Sequence, residues 1–85
     1  MPKALLDFLG YSFFFWSNEP GEPPHVHVCK GKPRENATKF WIRDDEVVLA
    51  HNKSEIPPKD LKKIQMYLSL NKKDIIYAWY THFKT

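Results

Sequence analysis

His25-Val26-His27-Val28-Cys29-Lys30 decides the fold. Its side chains alternate with period two, so the segment reads as a strand with two distinct faces. Val26 and Val28 leave one face, and His25, His27 and Cys29 leave the other. Working outward, residues 17–24 hold three prolines, a glycine and an asparagine, which prevent regular structure and predict a loop. Upstream of that loop, Gly10 precedes Tyr11-Ser12-Phe13-Phe14-Phe15-Trp16. This run has high β propensity and apolar groups on both faces, which predicts a well-covered central strand. Downstream, Gly31-Lys32-Pro33-Arg34-Glu35 is a turn. Residues 36–42 form a further strand, with Thr38, Phe40 and Ile42 on one face and Ala37, Lys39 and Trp41 on the other. Arg43-Asp44-Asp45 is a tight polar turn, and residues 46–51 complete the set. Short connections predict a four-stranded antiparallel meander.

The period then changes. Ile56-Pro57-Pro58 signals the start of a helix, because proline is tolerated in the first turn, and Asp60 suits that end of the dipole. Leu61, Ile64 and Leu68 recur at helical spacing, with Lys59, Lys62, Lys63 and Met66 on the opposite side. Asn71 is expected at a joint, able to cap a second helix in which Ile75, Ile76, Trp79 and Phe83 make a broad apolar face. One bent helix would satisfy the same pattern. The apolar face of the sheet needs a cover, and these helices are what is available. The expected fold is α+β: a four-stranded antiparallel β-meander followed by two C-terminal helices packed on one face of the sheet, as a single domain over residues 1–85.

With 85 residues the core must be thin, and an aromatic content of 15% partly offsets that. One cysteine excludes an internal disulfide, so a reducing, cytoplasmic location is expected. The apolar N-terminus is interrupted by Asp7 and lacks a small-residue cleavage pattern, which argues against a signal peptide. No stretch approaches the ~20 apolar residues of a membrane-spanning helix, so no membrane partner is expected. The net charge of +3 hides a split: residues 1–56 carry −1 and residues 57–85 carry +4. A total this small does not establish a nucleic-acid partner.

Several constellations carry chemistry. His25 and His27 sit two apart on one strand, so both rings leave the same face about 7 Å apart at the backbone. That spacing suits a catalytic base and acid astride a phosphate, or two metal ligands with Cys29 as a third. His51, His82 and Glu22 are available from elsewhere in the chain. The bland alternative is the polar outer face of a half-buried strand. No cofactor is implied beyond a bound divalent metal at this row. Cys29 as a nucleophile needs an adjacent base, which His27 offers; the reading as a small half-buried thiol is the stronger one. Lys30, Lys32 and Arg34 cluster beside the histidines as phosphate contacts. Lys59, Lys62 and Lys63, with Lys72 and Lys73 beyond, make a basic stripe that reads either as a nucleic-acid contact or as an ordinary solvated helix face. Trp41, Tyr11, Tyr67, Tyr77 and Tyr80 exceed what one thin core accommodates, which points to a partner surface or to ordinary half-buried aromatics.

Pro23-Pro24-His25-Val26-His27 resembles the Pro-Pro-His-aromatic-His signature of the bacterial domain-of-unknown-function family 4160. Met1-Pro2, Phe8 and Gly10 before an aromatic strand, Ile56-Pro57-Pro58 before a helix, and Trp79 in a closing helix are in register with it. Two features depart from the pattern: Val26 replaces an aromatic, and Arg43-Asp44-Asp45-Glu46 replaces a turn that often holds glycine. The resemblance implies a small prokaryotic cytosolic protein, encoded beside a second small protein in an arrangement similar to toxin–antitoxin pairs. It implies little chemistry. Two functions follow as expectations. One is an interaction module that pairs with the neighbouring protein or with itself and touches nucleic acid through its basic helix. The alternative is a small metal-independent endoribonuclease using His25 and His27.

Overall fold

A computed structural model describes residues 3–16 and 21–83, so the expected loop at 17–20 and the Met1-Pro2 start lie outside the described residues. Five strands and two helices follow in order: β1 (Lys3–Phe8), β2 (Tyr11–Phe14), β3 (His25–Lys30), β4 (Thr38–Ile42), β5 (Val47–His51), α1 (Pro58–Leu70) and α2 (Lys72–His82). Every strand pairs antiparallel with the next, and the spatial order is β1-β2-β3-β4-β5. The α+β meander with two C-terminal helices is therefore correct. The number of strands is not: the described residues hold five, where the sequence predicts four.

The missed strand is β1, and its pairing shows why. Its register against β2 breaks between Lys3 and Leu5 and again between Leu5 and Phe8. Each irregularity resets the inside–outside alternation, so Lys-Ala-Leu-Leu-Asp-Phe does not display period two. The turn is equally quiet in sequence. Leu9 and Gly10 both have positive φ, 54° and 80°, as a type I′ hairpin turn requires. Leu-Gly is a weaker signal than Asn-Gly, because leucine seldom adopts that conformation.

One face of the sheet carries the core. Tyr11, Phe13, Phe15, Val26, Val28, Phe40, Ile42 and Val47 meet Ile64 and Leu68 from α1 and Ile75 and Trp79 from α2. Leu61, Ile76 and Phe83 pack at the margin of that core, as the helical spacing predicts. A smaller cluster of Phe14, Cys29 and Ala37, flanked by Trp16, occupies the opposite face. Helix α1 also ties down both edge strands: the Gln65 side chain donates to the Val47 carbonyl at 2.8 Å, and the Tyr67 hydroxyl donates to the Leu6 carbonyl at 2.9 Å. Exposed strand edges invite unwanted pairing, and these tethers together with the register breaks in β1 oppose it.

Asn71 does separate the helices, but its side chain does not cap α2. Instead its Nδ2 donates back to the Tyr67 carbonyl at 2.8 Å, closing the last turn of α1. A helix C-terminus leaves carbonyls without partners, and the asparagine satisfies one of them.

Candidate functional site

The antiparallel register lines up four residues across the sheet: Phe14 faces His27, His27 faces Lys39, and Lys39 faces His51. A second row sets His25 against Trp41 and Trp41 against Val48. Directly opposed side chains lie about 4.5–5.5 Å apart at Cβ, so both rows are continuous surfaces. The two histidines predicted to share a face do come together, with ring centroids 5.0 Å apart and the rings nearly perpendicular.

Their burial departs from the sequence reading. A polar outer face is expected there, yet His25 is 0% exposed and His27 is 6% exposed. His25 sits in an aromatic enclosure made by Trp79 at 4.7 Å and Trp41 at 5.4 Å between centroids. Its Nδ1 lies 3.0 Å from the Pro23 carbonyl. A carbonyl only accepts, so the Nδ1 carries a proton, and in the neutral ring Nε2 is the basic nitrogen. The Pro23 carbonyl thus orients the imidazole. Around His27 stand Phe14 at 5.8 Å and Trp16 at 6.0 Å.

Beside this pair, Lys39 donates to Glu22 at 3.1 Å and lies 4.1 Å from the centre of the Trp41 ring. His51 on the edge strand has a buried Nδ1 that no described protein group satisfies. Its pKa is lowered below the ordinary histidine value, first by burial and then by the charges of Lys53 and Lys39. A folded-state pKa below the unfolded value means that protonation opposes folding. The stability that neutral His51 contributes is complete above about pH 6.5 and is lost as pH falls through its lower folded-state pKa. Urea denaturation of wild type and His51→Gln across this range is expected to give a shallower acid loss in the variant; parallel profiles would refute the assignment.

Of the remaining sequence candidates, Cys29, Lys30 and Arg34 line one small cavity, away from the histidine rings. Cys29 is buried, and its thiol donates to the Lys32 carbonyl at 3.2 Å, which holds it as a packed hydrogen-bond donor. His82 lies on the helix side, its ring near Phe15 at 6.3 Å and Phe83 at 4.6 Å. Among the described residues, no group of three His, Cys, Asp or Glu side chains is placed to hold a metal ion. Arg34 donates to the Lys30 carbonyl at 3.0 Å, and Lys30 leans 5.1 Å from the centre of the Tyr11 ring. Tyr11 in turn donates to Asp60 at 2.7 Å, and burial followed by that carboxylate pushes its pKa up to about 12.

Two of the helix lysines belong to a different feature. Lys62 and Lys63 line a groove of about 380 Å³ with Phe8, Met66, Tyr67 and Leu70. Positions 62, 66 and 70 follow i, i+4 spacing, and 63, 67 and 70 complete the same face of α1. Phe8 supplies the β1 wall and stacks on Tyr67 with centroids 4.4 Å apart. Met66 is 61% exposed and Leu70 is 81% exposed. Sequence reasoning missed this site because it required β1 to exist. The available signal was Met66 among the lysines, an apolar residue on a face otherwise read as solvated.

No curated protein and no solved structure matches the chain. Residues 10–80 match the family described as a domain of unknown function (DUF4160), a span that contains the histidine pair, its aromatic enclosure and helix α1. The chain belongs to that family.

Proposed function

We propose that the protein is a non-catalytic interaction module, one member of a two-protein regulatory pair, and that it docks its partner in the groove between α1 and β1. One observation carries the reading: Phe8, Met66, Tyr67 and Leu70 form a contiguous apolar groove open to solvent. Apolar surface gathered in one place on a small domain marks a contact site more often than scattered leucines do. The buried histidines favour the same reading. A base that works on RNA must reach the hydroxyl it deprotonates, and His25 and His27 are enclosed by aromatic rings. In this reading they are structural: the oriented His25 ring joins β3 to Trp79 on α2.

The test is copurification of the tagged protein with the product of its neighbouring gene. Wild type is expected to retain that protein stoichiometrically, and Leu70→Asp is expected to release it without altering the thermal melt. Retention by the variant, or a wild type that elutes alone, would overturn the reading. The phosphate-handling alternative, with His25 and His27 as base and acid beside Lys30, Lys32 and Arg34, draws on the fixed Nδ1 proton of His25. RNA cleavage that disappears in His25→Ala and His27→Ala would favour it instead.

A further inference from the structure

We infer that the segment occupying the groove is an acidic amphipathic helix of the partner protein; this rests on the docking reading above. Three features of the groove select that occupant. The first is charge. Among the described residues, Lys62 and Lys63 are the only charged ones lining it, and both are exposed. Lys59 lies one turn earlier on the same helix. An apolar ligand flanked by carboxylates gains at this rim, whereas a basic one is repelled.

The second is shape. The lining runs from Lys62 to Leu70 along α1, about 12 Å or two helical turns at 1.5 Å per residue. Leu70, Met66 and the Phe8–Tyr67 stack lie along that length. An apolar stripe at i, i+3, i+4 and i+7 on a docked helix matches such a floor. Addition of a strand to β1 is the competing geometry. It needs an uninterrupted ladder, and β1 carries two register breaks and surrenders the Leu6 carbonyl to Tyr67.

The third is the chain's own composition. A second copy docking a helix would have to offer α1 or α2. Their charged residues are Lys59, Lys62, Lys63, Lys72 and Lys73 against Asp60 and Asp74, and Asp60 is already bound by Tyr11. Self-docking through the helices therefore sets lysine against lysine. A nucleic-acid backbone would meet the two lysines, but it gains nothing from Phe8, Met66 or Leu70.

The experiment uses three fluorescent helical peptides that share one leucine stripe and carry Glu, Gln or Lys at the flanking positions. Their anisotropy is read against wild type, Leu70→Asp and the double variant Lys62→Glu/Lys63→Glu. The Glu peptide is expected to bind wild type about tenfold more tightly than the Lys peptide, with a preference that shrinks as salt rises. The double variant should reverse that order, and Leu70→Asp should abolish binding of all three. Equal affinities that are lost together in Leu70→Asp would overturn the acidic occupant and leave the docking groove standing. The acidic occupant is likewise overturned if no peptide binds while the neighbouring gene product is still retained in a Leu70-dependent manner. Glu-peptide binding that survives Leu70→Asp but is lost in the double variant would overturn both, leaving the lysines as a general polyanion face. A concentration-dependent wild-type dimer that Leu70→Asp dissolves would overturn the inference in favour of a second copy.

Discussion

Trp79→Ala is expected to destabilise the protein by about 3–5 kcal/mol, the range for emptying a large aromatic site in a packed core. Trp79 is buried and belongs to the main core. Its ring lies 5.3 Å from Phe15, 4.7 Å from His25 and 4.2 Å from Phe83 between centroids. Removing it takes away the contact that joins α2 to β3 and to the residues following β2, so neighbours on three segments lose packing at once. A domain of this size has roughly 5–15 kcal/mol in total, so the variant sits near the edge of folding. The melting temperature should fall by roughly 12–40 °C at 4–8 °C per kcal/mol. Trp79→Phe keeps a ring against His25 and Phe83 and should lose clearly less. Urea denaturation of the two variants measures this. A loss under about 1.5 kcal/mol in Trp79→Ala would mean that the neighbours close the space, and that His25 does not depend on this contact.

Asn52→Ala is expected to be the most damaging polar substitution, at about 2–4 kcal/mol, because it strips partners from several groups held away from water. The Asn52 Oδ1 accepts from the Ile56 amide at 2.9 Å and from the Thr38 hydroxyl at 2.6 Å, while its Nδ2 donates to the Ile56 carbonyl at 2.9 Å. Thr38 and Ile56 are both buried. With the Thr38 proton directed at Asn52, the Ser54 hydroxyl 2.6 Å away is the donor to Thr38. One amide thus folds the β5–α1 connection onto β4, helping to hold Glu55 at a φ of 56°. Thr38→Val is the informative comparison. It removes one hydroxyl at nearly constant volume, breaking its bonds to Asn52 and Ser54 but leaving Asn52 bonded to both groups of Ile56, so about 1–2 kcal/mol is expected. Chemical denaturation of the pair gives the ranking. If Asn52→Ala cost no more than Thr38→Val, the connection would be held by α1 packing and not by this amide.

Much of the architecture was legible because local periodicity and tertiary burial agree. The strand read at His25 to Lys30 coincides with β3 in its bounds, although burial runs unbroken from His25 to Cys29 and does not alternate as the sequence does. The spacing of Ile64, Leu68, Ile75 and Trp79 places each on the buried face of its helix. Tyr11 to Trp16 contains a hint that a four-strand reading leaves unresolved. A segment apolar on both faces suits an interior strand, yet the first strand of a meander is an edge. β1 resolves this by pairing along the outer side of β2.

Sequence by itself determined the fold class, the helix stripes and the common face of His25 and His27, because each follows from a period that the backbone imposes on neighbouring residues. It also determined that positive charge accumulates beyond residue 56. Only the tertiary structure decided how deeply the histidines are buried, because that depends on Trp79, 54 positions away from His25, and on Trp16 and Trp41 from other segments of the sheet. It likewise decided that Lys62 and Lys63 border an apolar groove: Phe8 reaches them across more than 50 residues of chain, and no local pattern records that distance.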